Sequence, residues 1–207
     1  MTDALIRTAE ATDADAIAAL HVASWRDSHR GMIPDAVLDG PMLDERLPMW
    51  RQALALTPVG RHVLVATTRA SSPTASPEAN PEPGEPPQLL GFTSAGRLRG
   101  RWAAGGFDAE IYTLYVAQAS RGRHIGCRLI ASAAMRLQLF GHASVMLWTL
   151  TANEPARGFY ERLGGQLAGQ REERFAGALL YEVGYGWPRI ETLLEACSDR
   201  LATAGAA

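Results

Sequence analysis

The sequence predicts a single α/β domain, and three observations support this fold class. The chain of 207 residues is long enough for one domain with a sizeable core. Compact apolar segments such as HVLVATT and SVMLWTL are typical of buried strands. Between such strands lie amphipathic segments, of which IGCRLIASAAMRLQLFG is the longest, with apolar residues at helical spacing.

Composition and charge exclude several partner classes. The chain is 47% hydrophobic with a net charge of −2, so bulk charge predicts neither a nucleic-acid partner nor a membrane surface. Its two cysteines, Cys127 and Cys197, form no metal-type cluster and no disulfide framework. The N-terminal residues have neither the basic nor the apolar part of a signal peptide. We therefore expect a cytoplasmic protein that binds no metal.

The first half predicts two helices and three strands. A strand covers ALIRTAE, and a helix then opens at Thr12 and ends near Gly31 and Pro34. A second helix runs through MLDERLPMWRQALAL, and the segments HVLVATTR and LLGFTSAGR are strands. Residues 70–88, which hold six of the 12 prolines, predict a disordered loop inserted at the tip of a hairpin.

The second half alternates strands and helices. AEIYTLYVA, SVMLWTL and ALLYEVGYGW are predicted strands. A helix follows the loop SRGRHIGCRL, with Phe140 on its inner face, and a shorter helix opens at Asn153. We expect one domain over residues 1–187 and a C-terminal helix and tail over 188–207. That helix either packs on the domain or frames a surface for a partner, such as a second copy in a homodimer.

The loop SRGRHIGCRL has the features of an anion site. A strand ending at Val116 leads into a loop that precedes a helix, and unsatisfied N–H groups at a helix start attract anions. Arg121 and Arg123 add positive charge. A tight turn with surface arginines is the structural alternative. The Gly-Lys-Ser/Thr ending of a Walker loop is missing, and so are the spacing and acidic residue of a dinucleotide site.

The segment NEPARGFYERLGG places two further polar groups together. Asn153 and Tyr160 lie seven residues apart, so they share nearly the same face of a helix. The structural alternative is an asparagine N-cap followed by a packed aromatic pair, Phe159 and Tyr160.

In this order and spacing, EIYTLYVAQASRGRHIGCRL and LTANEPARGFYERLGG resemble the GNAT superfamily of acetyl-CoA-dependent N-acetyltransferases. The resemblance covers residues 5–187 and is strongest over 110–165. It implies a mixed, strongly twisted sheet of about six to seven strands, flanked by helices, in which the two central strands splay apart.

The resemblance also implies where acetyl-CoA binds. The pantetheine arm would lie in the splay and pair with the strand like an added strand. The pyrophosphate would meet N–H groups from Gly122 to Cys127, and the Asn153 side chain would bind the pantetheine. The implied cofactor-binding residues are Leu114, Tyr115, Val116, Arg121, Gly122, Arg123, His124, Ile125, Gly126, Cys127, Asn153 and Phe159.

His124 departs from the family's motif, which has glycine at this position. A backbone that needs positive φ there would cost about 1 kcal/mol or more with a Cβ present. A backbone that is already helical would present the N–H unchanged. Because Gly122 and Gly126 flank this residue, we expect the second alternative.

The resemblance implies direct attack by a primary amine on the thioester. Glu110, at the start of the central strand, is the candidate base, although it would act through water or need burial, and the alternative is a carboxylate that only attracts the cation. A backbone N–H near Val116 would meet the oxyanion. Tyr160 would face the departing sulfur and stabilise it by hydrogen bonding or proton transfer.

The acceptor is predicted to be a small-molecule or peptide amine. Trp25, His29 and Trp148 are candidates for its binding wall, with core packing as the alternative for each tryptophan. A second function stays open at this stage, namely a non-catalytic acyl-CoA sensor of the same fold.

Overall fold

The computed structural model describes residues 4–56, 60–69, 87–100 and 106–205. A 3-10 turn at Ala11–Asp13 precedes the first helix, and a second at Gln118–Ser120 precedes the fourth. The strands are β1 (Ala4–Thr8), β2 (His62–Thr68), β3 (Leu89–Arg97), β4 (Ala109–Val116), β5 (Val145–Leu150), β6 (Gln166–Phe175) and β7 (Ala178–Trp187), and the helices are α1 (Ala14–His29), α2 (Asp35–Leu38), α3 (Met42–Ala55), α4 (Ile125–Leu139), α5 (Glu154–Arg162) and α6 (Ile190–Gly205).

The seven strands form one sheet in the order β1-β2-β3-β4-β5-β7-β6. Neighbouring strands are antiparallel except β4 and β5, which are parallel. Parallel neighbours need a crossover, and α4 supplies it. The predicted mixed sheet flanked by helices is confirmed. The hairpin of β2 and β3 is also present, while residues 70–86, most of the predicted disordered loop, lie outside the described residues.

The central strands part after a short paired stretch. Only Ala109–Ile111 of β4 pair with residues 145–147 of β5, although β4 continues to Val116. Opposite β3, the register shifts so that Tyr112 has no partner. Such a bulge bends a strand and increases its local twist. The two strands therefore separate beyond Ile111 and leave a cleft in the middle of the sheet.

The bulge also decides which side chains share a face. Without it, the alternation of a strand would put Glu110, Leu114 and Val116 on one side. In the structure Ile111, Leu114 and Val116 all pack in the core beneath α4, so the alternation has reversed. Glu110 and Tyr115 therefore lie on the opposite face, which α1 and α3 cover.

The helices pack on the sheet through regular apolar faces. The inner face of α4 buries Leu129, Ile130 and Leu137 completely. The prediction that Phe140 belongs to this face is wrong: the residue follows the end of the helix, and 51% of it is exposed. In α6, Ile190 and Cys197 are fully buried in the same core, so its apolar side is covered by this chain.

Candidate active site

Three elements of the cleft converge at Gly126 in the first turn of α4. A Cβ at this position would lie 3.5 Å from the Phe159 ring of α5 and 3.8 Å from the Val116 side chain of β4. The end of β4, the start of α4 and α5 therefore enclose one space. The sequence predicted these three segments as parts of one site, and the structure brings them together.

The edge of β4 that faces the cleft offers backbone groups that β5 does not pair with. The Ala117 N–H donates to the Leu90 carbonyl at 2.9 Å, on the β3 side. Because backbone groups alternate along a strand, Leu114 and Val116 point theirs to the other side, where β5 has moved away. An extended ligand arm can pair with these groups as an added strand does.

The loop before α4 turns twice through left-handed conformations. Gly122 has φ 74° and His124 has φ 59° with ψ 9°. The expectation that His124 is helical is therefore wrong, and the residue takes the backbone that the family's glycine would adopt without strain. Its side chain is exposed, so a Cβ is tolerated sterically while the backbone carries the cost.

The N-terminus of α4 lies at the loop that the sequence predicts as an anion site. The helix has 15 residues, and its first N–H groups have no partner within the helix. Ile125 and Cys127 are buried beneath it, which fixes the direction of this turn against the core. Backbone N–H groups and the helix dipole together make such a terminus attractive to a phosphate.

The arginines of the loop differ in their surroundings. Arg121 forms an ion pair with Asp27 and donates to the Ser28 hydroxyl at 3.1 Å, so it is tied to α1. It also donates to the Val116 carbonyl at 3.4 Å. The carboxylate offsets its charge, so this residue acts first as a clamp between the loop and α1. Arg123 is exposed.

Asn153 caps α5 and keeps donors available. Its Oδ1 accepts a hydrogen bond from the Ala156 N–H at 3.2 Å, which confirms the predicted N-cap. The side chain is buried, with 9% of the residue exposed. Its amide NH2 has no acceptor among the described residues, so it can donate to a ligand in the cleft.

Tyr160 of α5 is buried in the core, with 8% of the residue exposed. Its ring contacts those of Phe159, Tyr185 and Trp187 at centroid distances of 5.4, 6.0 and 6.5 Å. Burial, and to a lesser degree the nearby Tyr115, raise the pKa of its phenol well above the usual range. Within the described part of the chain its hydroxyl has no hydrogen-bond partner, so the group remains protonated and free to donate.

Glu110 lies in a closed ion pair rather than in an open pocket. Arg99 donates to it from Nη2 at 2.6 Å, from Nε at 3.2 Å and from the backbone N–H at 3.1 Å. The carboxyl side chain is 4% exposed, whereas that of Arg99 is 59% exposed. The Arg99 guanidinium also lies 4.1 Å from the centroid of the Tyr112 ring.

A second arginine–glutamate pair, which the sequence did not predict, lies on the same face of the sheet. Arg171 of β6 donates from Nε to Glu182 of β7 at 2.6 Å, and its guanidinium lies 4.4 Å from the Trp148 ring centroid. The predicted acceptor residue Trp148 is thus half-buried beneath a cation. The pairing of β6 with β7 creates this cluster, and no short-range motif in the sequence marks it.

The other two predicted acceptor residues lie in an aromatic cluster at the end of α1. Trp25 packs 4.7 Å from Phe175 and 5.3 Å from His29, measured between ring centroids. His29 is 7% exposed and bonds the Trp25 carbonyl through Nδ1 at 3.0 Å. Burial lowers the pKa of His29, which keeps the ring neutral. These contacts give both residues a structural role.

A shallow groove of about 370 Å³ lies beside this cluster, at the carboxyl end of β5. None of the three predicted acceptor residues lines it. Its walls come from the loop after α1 and from the facing ends of β5 and β7, namely Met32, Leu150, Thr151, Ala152, Leu179, Leu180 and Tyr181.

Within the described ranges, no group of three or more His, Cys, Asp or Glu side chains could hold a metal ion. In the same residues, no helix is long and apolar enough to cross a membrane.

Comparison with known proteins agrees with this geometry. The family model of the acetyltransferase (GNAT) family matches residues 79–165. An uncharacterized N-acetyltransferase of Bacillus subtilis, YuaI, is 27% identical over 188 residues, which cover 91% of this chain and 95% of that protein.

Solved structures give the same fold. The PaiA N-acetyltransferase of Thermoplasma acidophilum, in complex with coenzyme A, has a TM-score of 0.62 at 16% identity, covering 86% of this chain and 97% of its own. The yncA protein of Salmonella typhimurium, with its cofactor acetyl-CoA, has a TM-score of 0.55 at 19% identity, covering 90% and 94%. Sequence and fold agree, and the chain is similar to the GNAT family of acetyltransferases.

Proposed function

We propose that this protein transfers the acetyl group of acetyl-CoA to a primary amine of an unidentified acceptor, by direct attack in a ternary complex. The observation that carries the proposal is the cleft where β4 leaves β5, with the start of α4 and α5 closing around Gly126. The similarity to the GNAT family supports an acetyl-CoA-dependent N-acetyl transfer as the activity.

The cleft offers each part of acetyl-CoA a chemical partner. The pantetheine amides would pair with the backbone groups of Leu114 and with the Val116 N–H, and the Asn153 NH2 would donate to the same arm. The pyrophosphate would accept hydrogen bonds from N–H groups between Gly122 and Cys127. Phe159 would pack beside this path, since its ring already lies against Gly126. Two of the structural neighbours contain coenzyme A or acetyl-CoA, which supports this assignment.

The reaction would use Tyr160 at the sulfur. A buried phenol with a raised pKa stays protonated and can donate a hydrogen bond to the leaving thiolate. The backbone N–H of Val116, on the open edge of β4, would meet the oxyanion of the tetrahedral intermediate. Because the acceptor arrives as an ammonium ion, a base must also remove a proton before the nitrogen attacks.

The sequence predicts Glu110 as the general base. The structure adds a condition to that prediction, because Arg99 covers the carboxylate with three hydrogen bonds. The pair must open, or a water must bridge it, before Glu110 reaches an ammonium proton.

A non-catalytic acyl-CoA sensor is the second candidate function. It would bind acetyl-CoA and release no thiol with any amine. The free Tyr160 hydroxyl favours catalysis, since a sensor has no use for a buried unpaired donor that would face the thioester.

The proposed location is the cytoplasm, and the proposed assembly is a homodimer. Cys127 and Cys197 are buried neighbours without a disulfide bond, which favours a reducing compartment such as the cytoplasm. The homodimer stays a prediction that light scattering on the purified protein measures.

The experiment is an acceptor screen with acetyl-CoA. Purified protein is mixed with acetyl-CoA and a panel of primary amines that includes alkylamines, amino acids and short peptides, and free thiol is read while mass spectrometry follows the acetylated product. Thiol release that depends on both protein and amine supports transfer. Binding of acetyl-CoA without thiol release across the panel would favour the sensor.

A further inference from the structure

We propose that Glu182 binds the ammonium group of the acceptor and accepts its proton, and that Glu110 is a positioning residue for Arg99. The inference rests on the proposed function, because it assigns the base of the same reaction. It begins from the two arginine–glutamate pairs, which differ in position, in exposure and in the hydrogen bonds left open.

Glu182 lies on the face of the sheet that is opposite to the core beneath α4. Val183 and Tyr185 pack in the core beneath α4. Because side chains alternate along β7, Glu182 and Gly184 point to the opposite side. Tyr115 lies on that side too, against the rings of His21 and Phe92. Glu182 therefore shares a face with the part of β4 that borders the cleft.

Along the strands, Glu182 and Glu110 lie at different distances from the open end of the cleft. Glu182 is the register partner of Leu150, the last residue of β5. Glu110 is the partner of Met146, in the stretch where β4 and β5 are still paired. Four residues of a strand span about 13 Å. Glu182 thus lies beside the open end of the cleft, whereas Glu110 lies where the sheet is closed.

The carboxylates of Glu110 and Glu182 also differ in how many of their oxygens accept hydrogen bonds. Both oxygens of Glu110 are engaged by Arg99, and the side chain is 4% exposed. Only Oε2 of Glu182 is engaged, by Arg171 Nε, and the side chain is 19% exposed. Among the described residues Oε1 of Glu182 has no partner, so it can accept a hydrogen bond from an ammonium group.

Glu182 and Tyr115 lie on the same face of the sheet, whereas Tyr160 packs in the core on the other face. Burial raises the pKa of Tyr115 to about 12, and the negative charge of Glu182 acts in the same direction. An amine held at Glu182 would therefore approach the thioester from the side of Tyr115, opposite to Tyr160.

The carboxylate is also held in place. Arg171 lies over one side of Trp148, and a Cβ at Gly184 would come within 3.1 Å of the same indole. The indole is thus confined between a guanidinium and the backbone of β7. Since Arg171 is held by this stacking, it holds Oε2 of Glu182 and makes no hydrogen bond to Oε1.

The proton balance follows from these positions. The acceptor arrives as R–NH3⁺, and Glu182 takes one proton and passes it to solvent. The nitrogen lone pair of R–NH2 then forms a bond to the thioester carbon. When the tetrahedral intermediate collapses, the C–S bond breaks, Tyr160 donates its proton to sulfur, and the phenol regains a proton from the nitrogen through solvent. The products are R–NH–CO–CH3, CoA–SH and one released proton.

The test compares two nucleophiles in the full-length protein. The first is the most active alkylamine of the acceptor screen, which must lose a proton before attack. The second is hydroxylamine, which is already neutral near neutral pH. Glu182→Gln keeps an oxygen for Arg171, so the local fold is retained. Glu110→Gln is measured in parallel, and Glu172→Gln, an exposed carboxylate on β6, is the matched control.

We expect Glu182→Gln to lower kcat/KM for the alkylamine about 100-fold and to leave the hydroxylamine rate near that of the wild type. Glu110→Gln should lower both rates alike, as a positioning residue does, and Glu172→Gln neither. Equal losses with both nucleophiles for Glu182→Gln, or a selective loss for Glu110→Gln, would overturn the inference. Absence of wild-type turnover with every amine refutes the proposed function itself and the inference with it.

Discussion

Replacing His124 with glycine should stabilise the protein, because this residue has a backbone that glycine adopts more easily. With φ 59° and ψ 9°, the residue is left-handed. An L-residue pays about 1–2 kcal/mol in this region. Glycine loses about 0.5–1 kcal/mol more conformational entropy on folding. The difference leaves a net gain of about 0.75 kcal/mol for His124→Gly.

The gain converts into a measurable shift of the melting temperature. Unfolding entropy near 60 °C is about 2.1 cal/mol/K per residue, or about 0.43 kcal/mol/K for a chain of this length. The expected rise in Tm is therefore about 2 °C. Thermal unfolding followed by circular dichroism resolves a shift of this size when variants are run side by side.

Ala176 provides the matched control. It lies in the turn between β6 and β7 at φ 47°, the one other described non-glycine residue with positive φ. Ala176→Gly should raise Tm by a similar amount, far from the loop before α4. Acetyl-CoA affinity should be unchanged or higher in His124→Gly, since the N–H keeps its direction. A lower Tm for His124→Gly, while Ala176→Gly gains, would refute the argument that backbone strain is the cost at this position.

Three further predictions concern Tyr160, Asn153 and the buried His62. Tyr160→Phe should lower kcat at least about tenfold with little change in acetyl-CoA affinity, because the variant loses only the hydrogen-bond donor at sulfur. Steady-state kinetics measure kcat and calorimetry measures the affinity, and an unchanged kcat would remove Tyr160 from the mechanism. Asn153→Ala should lower the free energy of unfolding in urea by about 1 kcal/mol, because the N-cap is lost, and it should also weaken acetyl-CoA binding. A loss of stability with unchanged acetyl-CoA affinity would show that Asn153 acts only as an N-cap. Burial lowers the pKa of His62 from 6.5 to about 4. The unfolded chain then binds more protons, so stability is full above pH 6.5 and falls as pH decreases towards 4, by at most about 3 kcal/mol. Urea midpoints at pH 7 and pH 5 should differ less for His62→Leu than for the wild type, and an equal difference would contradict the assignment.

Much of the fold could be predicted from the sequence because its inner strands are compact and apolar. LLGFTSAGR is strand β3 from its first residue to its last, and ALLYEVGYGW is β7. The edge strand β6 was missed, since the run Arg171–Arg174 is charged and lies at the border of the sheet. Charges protect such an edge from pairing with other chains, and they also hide its apolar pattern.

The candidate site also has parts that could be predicted from the sequence and parts that could not. The convergence of β4, α4 and α5 was implied by the resemblance to the GNAT family, which rests on a motif in each of these elements. The bulge at Tyr112 depends on how β4 pairs with β3, and it reversed the face on which Tyr115 lies. The tie between Arg121 and Asp27, 94 residues apart, and the Arg171–Glu182 pair depend on tertiary packing. Periodicity within one segment carries no information about such contacts.

The central claim is that acetyl-CoA binds where β4, α4 and α5 meet at Gly126, and isothermal titration tests it most directly. Wild-type protein, Gly126→Ala and Gly126→Leu are titrated with acetyl-CoA after their folding is verified by thermal unfolding. The Ala Cβ would make an ordinary contact 3.5 Å from Phe159, whereas the Leu side chain would fill the space beside Val116. We predict near wild-type affinity for Gly126→Ala and a loss of at least about tenfold, or 1.4 kcal/mol, for Gly126→Leu. Undiminished binding by a folded Gly126→Leu variant, or no binding by the wild type, would contradict the account.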